Sequence, residues 1–142
     1  MSTHHCPTIV FHCIDFRTIK ETMKFLDSKC GLGNCDIVSV AGSGKGIADE
    51  NEIFRQYLLR QIRLSHDIHG SRNVILIHHS DCGVYNASYT FDSAEKEKKK
   101  QIEDTKKAEA VIKEIFSDIT VEKFWAQLLD SKGEKIEFIS VE

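Results

Sequence analysis

The sequence has no apolar run approaching the roughly 20 residues that span a bilayer, so no membrane segment is expected. Its opening, MSTHHCPT, lacks the basic-then-apolar pattern of a secretory signal, and the expected location is the cytoplasm. Basic charge is not in excess: 19 Lys and Arg against 22 Asp and Glu give a net charge of −3. That balance argues against nucleic acid or an anionic membrane as a partner. No internal repeat, linker or low-complexity stretch marks a second domain, so residues 1–142 are expected to form one domain, long enough to bury a hydrophobic core. The cysteine count is odd, with Cys6, Cys13, Cys30, Cys35 and Cys82. Without a signal, this argues against a disulfide framework and leaves metal binding, catalysis or simple burial.

What is present is an alternation of strand-like and helix-like segments. Residues 8–14, rich in Ile, Val and Phe, read as a buried strand. Thr18 with Glu21 forms a capping box for a helix carrying Ile19, Met23 and Leu26, which Gly31 would stop. DIVSVAG at 36–42 predicts a second strand running into the glycine-rich GSGKG at 42–46. Asp49 and Glu52 are candidate caps for a helix with the apolar stripe Phe54, Tyr57, Leu58 and Ile62, ending before Gly70. NVILIH at 73–78 predicts a third strand. Residues 93–116 predict a long helix whose first half is a solvated charge run and whose second half buries Ala108, Val111, Ile112 and Ile115. In the tail, Val121, Phe124, Trp125 and Leu128 fit a helix, but Asp130–Gly133 equally fits a turn before the β-like KIEFISV. The pattern predicts an α/β fold with a mostly parallel central sheet of four or five strands flanked by helices. In such sheets chemistry gathers beyond the carboxyl ends of the strands.

Two of those ends close on groups that are costly to bury unpaired. The first strand ends on Cys13, followed by Asp15 and Arg17; the third ends on His79, followed by Cys82. A catalytic zinc takes three protein ligands from thiolate and imidazole and keeps one position open. Cys13, His79 and Cys82 supply that set, with His79-x-x-Cys82 as a local chelate. If the chain stays extended past Cys13, period-two geometry puts Asp15 and Arg17 on its face, where Arg17 could fork onto Asp15 beside the open position. The plainer alternative is a buried cysteine, a satisfied histidine and a surface ion pair. H-x-x-C alone is common by chance; C-x-D-x-R and H-x-x-C-G within one α/β pattern is far more specific. GSGKG does not fit the P-loop, because Lys45 is followed by Gly46. It reads instead as a tight turn, with Gly42 and Ser43 lining the metal pocket. Cys6, Cys30 and Cys35 with His4 and His5 are a looser second metal-binding group. Were Met1 removed, His4 would be third in the chain and could join the terminal amine around copper or nickel. His66 and His69 are expected at the surface near a helix end, His78 as a proton relay or a packing group, and Trp125 in the core.

CIDFR and HHSDCG resemble the signatures of the β-class carbonic anhydrases. The segment leading into HHSDCG resembles that family's helix–strand entry to the second motif. FWAQLLDSKGEKIEF resembles its closing strand, turn and strand, which favours the hairpin for the tail. The resemblance spans roughly residues 8–141. It implies a Zn2+ ion on Cys13, His79 and Cys82. It implies too an Asp15–Arg17 dyad orienting a zinc-bound hydroxide, and a pocket wall including Gly42, Ser43 and Gly83. The implied reaction is reversible hydration of carbon dioxide to bicarbonate. Related members hydrolyse carbonyl sulfide or carbon disulfide on the same scaffold, and a zinc-binding module without turnover is a third reading. In the family that aspartate can instead close the site as a fourth ligand. Two thiolates cancel the ion's formal charge, so such a site should acidify water less than three neutral histidines would. A homodimer or higher homo-oligomer is implied as well. Three features depart from the family. Few residues precede the first strand, so the partner-wrapping helical arm is expected to be absent. Ser39, Val40, Ala41 and Gly42 stand where R-N-A-G is common, and His78 replaces a glycine.

Overall fold

In the computed structural model, which describes residues 4–142, Thr8–His12 forms β1 with every side chain buried. Strand β1 is an inner strand of a five-stranded sheet with Cys35–Ser39 (β2), Asn73–His79 (β3), Thr120–Leu128 (β4) and Ile136–Val141 (β5), in the order β2-β1-β3-β4-β5 with β3 at the centre. The first four strands are parallel and β5 is antiparallel to β4. Side chains alternate across the sheet with period two. Ile9 and Phe11 of β1, with Val74 and Leu76 of β3, face one cluster; Val10, Ile75 and Ile77 face another. The first is covered by helices Lys45–Ala48 (α2), Glu52–His69 (α3) and Ala94–Ile115 (α5), through Ile47, Leu58, Ile62, Ala108 and Ile112. The second is covered by Phe16–Lys29 (α1), through Leu26 and the half-buried Met23 and Phe25. Burial on both faces explains why the inner strands read as unbroken apolar runs.

The tail forms the hairpin, and Trp125 lies on β4, buried. Its turn is built on Asp130, whose carboxylate accepts the backbone N–H groups of Lys132, Glu134 and Lys135 at 2.8–3.0 Å. Gly133 in this turn has φ +72°, and a Cβ there would run into the Arg17 carbonyl oxygen. The turn thus packs against the start of α1. Gly133→Ala is expected to destabilise the fold by about 1–3 kcal/mol through left-handed strain and this collision, read as a lowered midpoint in denaturant unfolding.

Several local expectations are corrected. Helix α1 starts at Phe16 with Asp15 as N-cap, its carboxylate accepting the Arg17 N–H, so the chain is not extended past Cys13. Thr18 is already inside the helix and bonds the Asp15 carbonyl. Asn51, rather than Asp49 or Glu52, caps α3. On α3, Leu58 and Ile62 are buried while Phe54 and Tyr57 are exposed; on α5, Ala108 and Ile112 are buried while Ile115 is exposed. The charge run of α5 is not wholly solvated either: Glu97, Gln101 and Asp104 are buried. GSGKG is a turn running into α2, with Lys45 paired to Asp49 and the Gly44 N–H taken by His78, which removes the phosphate-cradle geometry. The proposed His4 chelate with the terminal amine involves residues 1–3, which lie outside the described residues. Among the described residues no helix is long and apolar enough to cross a membrane.

Candidate metal centre

Strands β1 and β3 are hydrogen-bonded neighbours with Phe11 opposite Leu76, so Cys13 and His79 emerge at the same carboxyl edge of the sheet. Past β3 the chain turns through Asp81, which has φ +56°, and Cys82 then caps the short helix Gly83–Ser88 (α4). The result is a buried group in which the ligand atoms of Cys13, His79 and Cys82 lie within 4.8 Å of one another, with the two sulfurs 4.0 Å apart. A tetrahedral zinc with Zn–S bonds of about 2.3 Å separates two sulfurs by roughly 3.8 Å. The spacing therefore fits.

The imidazole is prepared in the same sense. His79 Nδ1–H donates to the Ser80 carbonyl at 2.7 Å, which leaves Nε2 as the acceptor nitrogen. That Nε2 is buried and has no hydrogen-bond partner. Orphaned buried nitrogens are rare because each costs free energy, and an imidazole whose far N–H is tied to a carbonyl is the usual presentation of a metal ligand. The Cys13 and Cys82 sulfurs share one contact, which with the nearby imidazole lowers the Cys13 thiol against the opposing effect of burial and raises Cys82. The pair thus gives up its first proton more readily than an isolated buried thiol would, which suits a thiolate-ligated cation.

Beside this group, Arg17 forks onto Asp15, with Nε 3.1 and 3.2 Å from the two carboxylate oxygens and Nη2 2.7 Å from Oδ2. The fork arises at a helix start rather than in an extended segment. The guanidinium holds the Asp15 carboxyl below its usual range, against the effect of burial. Asp15 Oδ2 lies 3.8 Å from His79 Nε2. Arg17 also bonds Asp81, through its carboxylate at 3.1 Å and its carbonyl at 2.9 Å, and so ties α1 to the loop bearing Cys82. A cavity of about 570 Å³ opens here, lined by Cys13, Asp15 and Arg17 and by the apolar Ile14, Phe16, Ala41 and Val84. Of the expected wall residues, Gly83 lines it. Ser43 does not: it is fully buried and its hydroxyl donates to the Phe11 carbonyl. Gly42 is buried at φ +80°, where a Cβ would collide with Val84.

Residues of α5 that the sequence reading left in solvent hold this loop. Glu97 accepts the N–H groups of Asp81 and Cys82 at 3.1 and 2.9 Å and the Gln101 amide at 2.9 Å. Gln101 Nε2 also donates to the His79 carbonyl, and its Oε1 accepts from His78 Nδ1 at 3.2 Å. His78 Nε2 accepts the Gly44 N–H at 3.0 Å, and burial lowers its pKa to about 4. His78 is therefore a neutral interior strut with both nitrogens engaged. A legible signal existed: Glu97, Gln101, Asp104 and Ala108 recur at helical spacing in line with the apolar stripe. His12 was also missed; it is buried, its Nε2 2.5 Å from the Ser39 hydroxyl, and burial lowers its pKa. Glu97→Gln would turn an amide N–H toward backbone donors. It is expected to cost about 1–3 kcal/mol of stability and about 10–100-fold in metal affinity, measured by denaturant unfolding and chelator competition.

The family model described as "Putative carbonic anhydrase" matches residues 3–137. An uncharacterized protein of Rickettsia bellii is 29% identical over 121 residues, covering 82% of this chain and 74% of that one. Among solved structures, a tetrameric β-carbonic anhydrase of Sordaria macrospora superposes with a TM-score of 0.67 at 12% identity, covering 98% of this chain and 84% of its own. The apo form of a carbon disulfide hydrolase gives 0.57 at 14% identity, covering 89% and 76%. Such low identities establish the fold alone, but the family match runs over nearly the whole sequence, and on that ground this chain belongs to the carbonic anhydrase family as a divergent member with the β-class fold.

Proposed function

We propose that the protein is a zinc-dependent carbonic anhydrase that converts carbon dioxide and water reversibly to bicarbonate and a proton. The observation that carries this reading is the buried Cys13–His79–Cys82 group with its orphaned His79 Nε2, set beside an Arg17-forked Asp15 at the mouth of an open cavity. Cys13, His79 and Cys82 would hold the ion. When bound, zinc supplies a water whose pKa falls towards about 7, a nucleophile near neutral pH. Asp15, kept ionised by Arg17, would accept a hydrogen bond from that water and so orient it toward the carbon of the substrate. Arg17 is a positioning residue: its fork fixes the carboxylate, and its bonds to Asp81 fix that carboxylate relative to Cys82. Three hydrogen bonds from the Arg17 side chain favour Asp15 as an orienting base over Asp15 as a fourth ligand. The apolar walls from Ile14, Phe16 and Val84 suit a small, uncharged, linear substrate.

The same walls suit carbon disulfide or carbonyl sulfide, and the fold is shared with a carbon disulfide hydrolase, which makes sulfur-substrate hydrolysis the second reading. Stopped-flow carbon dioxide hydration, with zinc content measured on the same sample, separates the two. About one zinc at this site with hydration upholds the first. Zinc without hydration over a range of pH, but with hydrolysis of the sulfur analogues, upholds the second, and zinc with neither points to a module without turnover. A homodimer or larger homo-oligomer is expected, because Phe16 (85% exposed), Ile14 (57%) and Leu129 (58%) leave apolar surface around the cavity mouth and turn. Sedimentation of the purified protein at a monomer's mass would contradict it.

A further inference from the structure

At the opposite edge of the sheet, where β1 and β2 begin, a second set of metal-ligating side chains converges. A sulfur of Cys6, a carboxylate oxygen of Asp36 and a ring nitrogen of His69 lie within 4.8 Å of one another. Cys6 precedes β1, Asp36 is on β2 and His69 is the last residue of α3. The sequence had grouped Cys6 with Cys30 and Cys35 and left His69 at the surface; the topology makes a different group. The N-terminal segment is pinned there by its backbone. The Cys6 N–H donates to the His69 carbonyl at 3.1 Å, and the Pro7 carbonyl accepts from Arg72 and Asn73 at 3.0 and 3.1 Å. The Ser71 hydroxyl donates to the Cys6 carbonyl at 3.0 Å. Asp36 Oδ2 accepts from the Ser65 hydroxyl at 2.7 Å and lies 2.6 Å from His69 Nδ1. His4 stands edge-on to His69 at 4.8 Å between ring centroids, and His4 and His5 line the same hollow of about 180 Å³.

We propose that Cys6, Asp36 and His69 form a second site for a divalent ion of zinc type, separate from the Cys13–His79–Cys82 group. Thiolate, carboxylate and imidazole all belong to zinc's donor set. One thiolate and one carboxylate cancel the charge of a divalent ion, which lowers the cost of holding it in a half-buried hollow. Bonds of about 2.0–2.3 Å in a tetrahedron hold ligand atoms roughly 3.3–3.8 Å apart, so the trio, all within 4.8 Å, needs the His69–Asp36 pair to open from 2.6 Å and the sulfur to settle at bonding range. The ion takes the place of protons: the Cys6 thiol proton passes to solvent, and the imidazole of His69 stays neutral by carrying its one proton on Nε2 while Nδ1, now 2.6 Å from Asp36 Oδ2, turns to the ion. Ser65 stays bonded to Asp36 as an outer-shell support. His4 or His5 completes four-coordination from the same hollow. The ion's role is structural, clamping the N-terminal segment to the start of β2 and the end of α3.

Metal-stripped full-length protein titrated with zinc, with cobalt as a spectroscopic substitute, tests this. Wild type should take up two equivalents; Cys6→Ser/His69→Gln should take up one, and Cys13→Ser/Cys82→Ser should also take up one, with a thiolate-to-cobalt charge-transfer band retained in each. A wild type that takes up one equivalent, abolished by Cys13→Ser/Cys82→Ser and untouched by Cys6→Ser/His69→Gln, overturns the proposal. One equivalent lost only in Cys6→Ser/His69→Gln would uphold it while removing the metal from the proposed catalytic group, so the two readings fail separately. Circular dichroism of each variant establishes that it is folded. Because Cys6 and His69 are only half-buried, their double variant keeps the test informative even if the Cys13/Cys82 variant unfolds.

Discussion

Cys82→Ser is expected to leave the proposed catalytic centre without metal and the protein without carbon dioxide hydration. Serine is nearly isosteric, and the Cys82 backbone is held independently by Glu97, so the loop should keep its course. What is lost is the soft anionic donor: a hydroxyl at neutral pH is neither deprotonated nor a good zinc ligand. The remaining Cys13 and His79 make a two-point chelate, and the drop in affinity should exceed the roughly 10–100-fold that outer-shell changes cost. The measurement is zinc content after equilibration with a weak chelator, paired with stopped-flow hydration. Wild-type zinc affinity at this group in the variant, counted with the Cys6 site disabled, would refute the ligand assignment. The effect is large because the change removes the ion and everything the ion supplies.

The second large effect separates chemistry from metal binding. Asp15→Asn should lower hydration by about 10²–10⁴-fold while zinc content stays at the wild-type level. The side chain caps α1, and asparagine is as good an N-cap as aspartate, so the helix should start in the same place. The Arg17 fork, however, meets an amide with one acceptor oxygen in place of a carboxylate with two. The negative charge proposed to orient the nucleophilic water is gone. Loss of zinc as well in Asp15→Asn would make Asp15 a ligand; full activity in the same variant would remove the dyad from the mechanism. Arg17→Lys is a useful companion, because lysine keeps the charge and loses the planar fork. It should reduce turnover and leave the pH profile's limbs displaced relative to wild type, a result a purely structural arginine would not give.

The site and its supports were legible to different degrees, for physical reasons. The inner strands announced themselves because parallel strands buried on both faces must be apolar without interruption. The β4–β5 hairpin was harder: Val121, Phe124 and Leu128 satisfy a helical period as well as a strand, and pairing with β3 decides the matter. Asp15 and Arg17 show how a correct pairing can rest on a wrong local geometry. The two were expected to meet on one side of an extended chain, and they meet because Asp15 caps α1 and Arg17 sits in its first turn. Glu97 and Gln101 were hidden by composition, since a helix written mostly in Lys and Glu reads as solvated. Their spacing in line with Ala108 marks an inward stripe, but only the packing of α5 over the loop bearing Cys82 shows that Glu97 accepts that loop's backbone N–H groups.

By itself the sequence determined the alternation of strands and helices, the parallel sheet and the identity of the two polar strand ends, because hydrophobic periodicity and donor chemistry are local properties of the chain. The tertiary structure decided which of those polar groups meet. Cys13 and His79 share an edge only because β1 and β3 pair in one register. Cys6 finds Asp36 and His69, rather than Cys30 and Cys35, because β2 lies beside β1 and the end of α3 folds back onto their starting edge. Distances between residues far apart in sequence are set by strand order and helix packing, and no local pattern encodes them.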